Sequence, residues 1–154
     1  MRPYADTNFF SRLYLPLVES EAAAHLIASG QAEASPPLPI TWLHRLETIN
    51  ALQLHEFMGK ARGQTRVTPE QAAAAQAAFQ TDLDRPEFLR PVQLELPVLE
   101  VQFEELALRH TAKHGFRTYD LLHVASALVL VCDTFWSFDP KASRLAALEG
   151  LRVR

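Results

Sequence analysis

Four carboxylates in this chain of 154 residues have spacings and neighbours that could do chemistry together. Asp6 ends "RPYAD", Glu47 sits in "LHRLETINAL", Asp120 in "RTYDLLHVASAL", and Asp139 directly after "TFWSF". Each has an ordinary explanation. Asp6 fits a turn after a strand, Asp120 interacts favourably with the positive end of its helix, and Asp139 before Pro140 is a common helix cap. Glu47 is harder to explain alone, because it lies between Leu46 and Ile49 in an apolar stretch. Brought together, the four would repel until one took a proton or a cation entered. Oxygen ligands without a Cys or His pattern select Mg²⁺ or Mn²⁺. Such a site suits attack on a phosphate ester by hydroxide generated at the ion, with the leaving oxygen stabilised by the same charge.

Positioning these groups requires a scaffold whose elements end at one rim. "RPYADTN" reads as a short strand closing near Asp6, followed by a helix in "FFSRLYL". "ESEAAAHLIASG" predicts a helix with Ser20 as cap and Gly30 as stop. "EASPPLP" is a loop, "LPITW" a short buried strand, and the helix after it has apolar residues at Leu43, Leu46, Ile49, Ala51, Leu54 and Met58, with Gly63 closing it. Thr68 and Pro69 open an alanine-rich helix, since threonine caps and proline suits the first helical position. "RPVQLELP" alternates like a strand from about 91 to 95, and "VLEVQFEELALRHTAKHG" is an amphipathic helix ended by Gly115. Thr118 is a candidate cap for the next helix, whose apolar residues are Leu121, Leu122, Ala125, Leu128 and Val129. "TFWSF", a short helix and "LRV" complete the chain. Strands alternating with helices imply an α/β fold, three layers deep, with a central parallel sheet. In such folds sites form beyond the carboxyl ends of the strands, where Asp6 and Asp139 fall and where Glu47 and Asp120 have a route.

Composition narrows the classes. Hydrophobic residues make up 48%, enough for one domain spanning 1–154 with a sizeable core. The apolar run from Leu121 to Cys132 is too short to cross a bilayer, and "MRPYADTNFF" lacks the apolar region of a signal peptide, so a cytoplasmic location is expected. Cys132 is the single cysteine, which leaves no internal disulfide or cysteine cluster. With a net charge of -3, bulk electrostatics do not announce a nucleic-acid binder, and such a role needs a local basic surface.

"YADTN", "LHRLETINAL", "RTYDLLHVASAL" and "FWSFDPKASRLAALEGLRV", in that order and across nearly the whole chain, resemble the PIN-domain family, most closely its VapC-type toxin branch. The resemblance implies an endoribonuclease dependent on Mg²⁺ or Mn²⁺, with Asp6, Glu47, Asp120 and Asp139 at the four acidic positions. It implies supporting roles for Thr7, Asn8 and Ser137. It also implies a homodimer neutralised by a small antitoxin protein, the toxin of a type II pair. The chain departs from the family after its last acid, where Pro140 precedes Lys141, and in the bland polar helix from 69 to 84.

Other groups are read against ordinary alternatives. Lys60, Arg62 and Arg66 in "GKARGQTR" are candidates to clamp an RNA backbone, with an exposed loop as the rival reading. Arg117 could meet a phosphate or stand solvated at its helix start. His123 fits packing between helices better than a metal or phosphate contact. A haloacid-dehalogenase phosphatase would need an acid where Asn8 stands, a response-regulator receiver an acidic pair near the first strand, and a nucleotide binder a glycine-rich loop. The remaining rival is a catalytically silent PIN-like domain that acts as a protein- or RNA-binding module.

Overall fold

Strands and helices alternate along the chain, and every strand pairing among the described residues of the computed structural model is parallel. The structure describes residues 1–62, 67–85, 87 and 89–154, without the side chains of 60–62. The side chains of the proposed clamp, Lys60, Arg62 and Arg66, and the helix stop at Gly63, lie outside what the structure describes. Internal contacts divide the chain into two bodies, one of residues 1–6 and 93–154, the other of residues 7–92. No described helix is long and apolar enough to cross a membrane.

The first body carries β1 (Pro3–Ala5), β4 (Thr134–Trp136) and β5 (Arg152–Val153), ordered β1-β4-β5. Pro3 pairs with Thr134, Tyr4 with Phe135 and Ala5 with Trp136. Its helices are α5 (Leu96–Leu106), α6 (Ala112–His114), α7 (Thr118–Val129) and α8 (Pro140–Leu148), with a π-turn over Ala107–Thr111 between the first two. Gly115 ends α6 at φ 66°, a left-handed conformation that glycine adopts without steric cost. Tyr4, Leu99, Leu106, Leu121, Val124, Phe135 and Leu145 pack in the core. The N-cap of α7 is Arg117 rather than Thr118, because the extended backbone lies at Arg117 and Thr118 is already helical.

The second body holds α1 (Thr7–Tyr14), α2 (Ser20–Ala32), β2 (Leu38–Ile40), α3 (Trp42–Arg62), α4 (Pro69–Asp84) and β3 (Leu89–Pro91). The strand expected over 91–95 therefore ends at Pro91. Its partner β2 is three residues long, and only Val92 extends the pairing, through its N–H to the Ile40 carbonyl. Ser20 does not cap α2. Its hydroxyl donates to the Leu15 carbonyl and accepts from the Leu17 N–H, which turns it toward the preceding loop, and Glu19 takes the cap position. Gly30 is a buried residue inside that helix rather than its stop, and Ala34 beyond it takes the positive φ. The α4 start is as the sequence predicts, with Thr68 and Gln71 forming a capping box around Pro69.

Helix α3 exists where its spacing predicts, but on a different face. Its buried residues include Leu43, His44, Thr48 and Leu52, whereas Leu46 is 65% exposed and Leu54 50%. Burial of His44 is tolerable because its Nδ1 accepts from the Thr41 N–H at 3.0 Å.

Candidate active site

The parallel register of the first body sets two side chains side by side. Because Ala5 pairs with Trp136, the next residue on each chain, Asp6 and Ser137, emerge together at the carboxyl ends of β1 and β4. The Asp6 N–H prolongs the ladder to the Trp136 carbonyl at 3.2 Å. The Ser137 hydroxyl then donates to Asp6 Oδ2 at 2.6 Å and accepts from the Asp139 N–H at 2.9 Å. Asp6 is 4% exposed and Ser137 8%. One hydroxyl thus fixes the first acid and the backbone of the last.

Asp139 itself is a helix cap. Its Oδ1 accepts from the N–H groups of Lys141 at 2.7 Å and Ala142 at 3.4 Å, and Pro140 occupies the first helical position of α8. Asp120 is half-buried at the third position of α7, with Oδ2 accepting from the Arg117 N–H at 3.0 Å. The ordinary roles foreseen for both acids are therefore realised, and each draws on an identified oxygen.

In the second body the partner of Glu47 is Thr7, whose hydroxyl donates to Glu47 Oε2 at 2.7 Å. Thr7 opens α1 and Glu47 lies in the second turn of α3, so the bond ties two helices across 40 residues of chain. Beside Thr7, Asn8 Oδ1 is buried without a hydrogen-bond partner among the described residues. An orphaned buried carbonyl costs about 1–3 kcal/mol. It marks this stretch as short of a donor or a cation.

No family model matches the sequence, and no curated protein matches it. Solved structures do. The Mycobacterium tuberculosis toxin VapC20, described as cleaving the sarcin-ricin loop, superposes with a TM-score of 0.64 at 20% identity, over 99% of this chain and 98% of that one. VapBC-1 from nontypeable Haemophilus influenzae gives 0.63 at 16% identity, over 100% and 97%. The fold is that of the VapC structures.

On this VapC fold the donor set is one of hard oxygens. Asp6, Asp120 and Asp139 in the first body, and Glu47 and the orphaned Asn8 carbonyl in the second, each offer oxygens of the type that Mg²⁺ or Mn²⁺ prefers. Among the described residues no three His, Cys, Asp or Glu side chains gather into a ready cage. What the geometry supplies instead are preset pieces, Asp6 with Ser137 and Asp139 in one body, Thr7 with Glu47 in the other.

His123 takes the packing role. It is 4% exposed, and its Nδ1 shares a hydrogen bond of 2.9 Å with the Tyr4 hydroxyl. Arg117 is exposed, and its guanidinium has no ion pair among the described residues. The Thr7 to Glu47 bond and the orphaned Asn8 oxygen could not be read from residue patterns, since nothing local couples positions 7 and 47. The hint for both lay only in the resemblance of "YADTN".

Proposed function

We propose that the chain, as one nuclease domain, is an endoribonuclease dependent on Mg²⁺ or Mn²⁺ and the toxin of a type II pair, active as a homodimer and held by a small antitoxin. The observation that supports it most is the Asp6, Ser137 and Asp139 arrangement at the carboxyl ends of two parallel strands, on a fold shared with VapC20. Asp6, Glu47 and Asp120 hold the ion, and Asp139 completes the site. A divalent ion there supplies activated water near neutral pH and positive charge for the leaving oxygen. Ser137 keeps the Asp6 carboxylate from rotating, Thr7 does the same for Glu47, and Asn8 offers its unpaired oxygen. Arg117 meets substrate phosphate, as do Lys60, Arg62 and Arg66.

Cleavage of a labelled RNA by the purified protein tests this reading. It should require Mg²⁺ or Mn²⁺, stop in excess chelator, and be lost in Asp6→Asn. Robust cleavage in chelator would remove the metal, and full activity of Asp6→Asn would remove the site. A silent PIN-like module would bind RNA or protein in the same assay and cleave nothing.

A further inference from the structure

The chain has three tyrosines, and two are accounted for. Tyr4 bonds to His123 and stacks on Phe135, while Tyr14 donates to Asp82 at 2.7 Å. Tyr119 is different. It is 57% exposed, the one exposed aromatic ring among the described residues of the first body, and makes no hydrogen bond or ring contact among the described residues. Its place is the first turn of α7, between exposed Thr118 and half-buried Asp120.

The exposed rings of the second body have another setting. Trp42 and Phe57 share α3 with exposed Leu46 and Ile49, at spacings that make one apolar stripe, the kind of face that packs against protein. Tyr119 follows exposed Arg117 and Thr118 and precedes half-buried Asp120, so the residues that flank it in the chain are polar. An exposed ring with polar residues on either side of it in the chain suits a planar, polar-edged partner.

A nucleobase is such a partner. Resting on the ribonuclease reading above, we infer that Tyr119 is a stacking platform for a base next to the phosphate under attack, and that it selects unpaired RNA over duplex. Stacking on an aromatic face tolerates any base, and it supplies affinity that a chain of net charge -3 does not draw from bulk electrostatics. Bases inside an A-form helix stay stacked on one another and offer their faces to no side chain. Arg117, two residues before Tyr119, neutralises a phosphate of the same strand.

The test compares kcat/KM of the full chain on an unstructured oligoribonucleotide and on the same strand in a duplex, for wild type and for Tyr119→Phe, Tyr119→Leu and Tyr119→Ala. Phenylalanine keeps the π-face and should retain activity on the single strand within about twofold, whereas leucine and alanine should lose about tenfold, chiefly through KM. Cleavage of duplex should not change. Melting temperatures identify a variant that fails to fold, and the Phe and Leu pair decides the matter even if alanine does. Leucine matching phenylalanine on the single strand, or both substrates falling together, would overturn the stacking role while leaving the nuclease intact. A wild type that cleaves no RNA would overturn both.

Discussion

Asp139 and Asp120 both stand at the start of a helix in the first body, yet they are held in opposite ways. Asp139 is the N-cap itself, anchored by two backbone N–H groups at 2.7 and 3.4 Å and backed by Pro140. Asp120 lies three residues inside its helix and accepts one at 3.0 Å, while the cap position belongs to Arg117. A carboxylate at a helix start is therefore not one kind of residue. The cap position commits the acid to two backbone N–H groups, whereas the third position leaves it with one.

If that contrast is functional, activity and stability should respond in opposite order. Asp120→Asn should lower kcat/KM for RNA by roughly 10²-fold or more, the scale of losing one preorganised electrostatic group. Asp139→Asn should cost clearly less, and equal losses would erase the distinction. Ser137→Ala removes the hydroxyl shared by Asp6 and the Asp139 backbone, so a decrease of about 10- to 100-fold is expected. Activity within a factor of about two of wild type would make that bond incidental.

Stability should rank the pair the other way. Asp139→Ala strips the α8 cap and should reduce the unfolding free energy by about 1 kcal/mol in urea titrations. Asp120→Asn, measured in chelator, should cost nothing, since it keeps an acceptor for the Arg117 N–H and relieves like-charge repulsion. A larger cost at Asp120 would make that residue the structural one.

The smallest effect is at Asp133, before β4. The Arg2 N–H, then the Thr134 hydroxyl and Arg152, hold its carboxyl well below the usual carboxylate range. A folded-state value below the unfolded one, about 3.9, gives stability present above roughly pH 4 and lost as pH falls below it. Asp133→Asn should flatten the acid limb of a stability profile only slightly, because the side chain is 39% exposed and solvent screens the pairing. An unchanged limb would assign the acid sensitivity to other carboxylates.

What could be read in advance follows the range of the interaction. The α4 capping box lies within four residues, so Thr68, Pro69 and Gln71 announce it. The four acids and Ser137 were singled out only by the resemblance that the order of short motifs carries. Features set by distant chain were not. Ser20 looks like a cap until the Leu15 carbonyl claims its hydroxyl, and α3 buries His44 and Thr48 in place of Leu46 because packing, not hydropathy, selected the face. Thr7 on Glu47 and Tyr4 on His123 join positions 40 and 119 residues apart, which no periodicity encodes. The division into two bodies was equally hidden, since the first is assembled from both ends of the chain.

On the proposed function, Asp120 belongs to a metal-binding group of carboxylates rather than to its helix alone. Melting curves of wild type and Asp120→Asn, each with chelator and with saturating Mn²⁺, test it most directly. An ion that binds only the folded state stabilises by RT ln(1 + [L]/Kd), about 2.7 kcal/mol at a hundredfold excess over Kd. Wild type should gain from Mn²⁺ and the mutant should gain less, with the chelated mutant at least as stable as chelated wild type because like-charge repulsion is relieved. A mutant that is less stable in chelator yet gains as much from Mn²⁺ as wild type would contradict it.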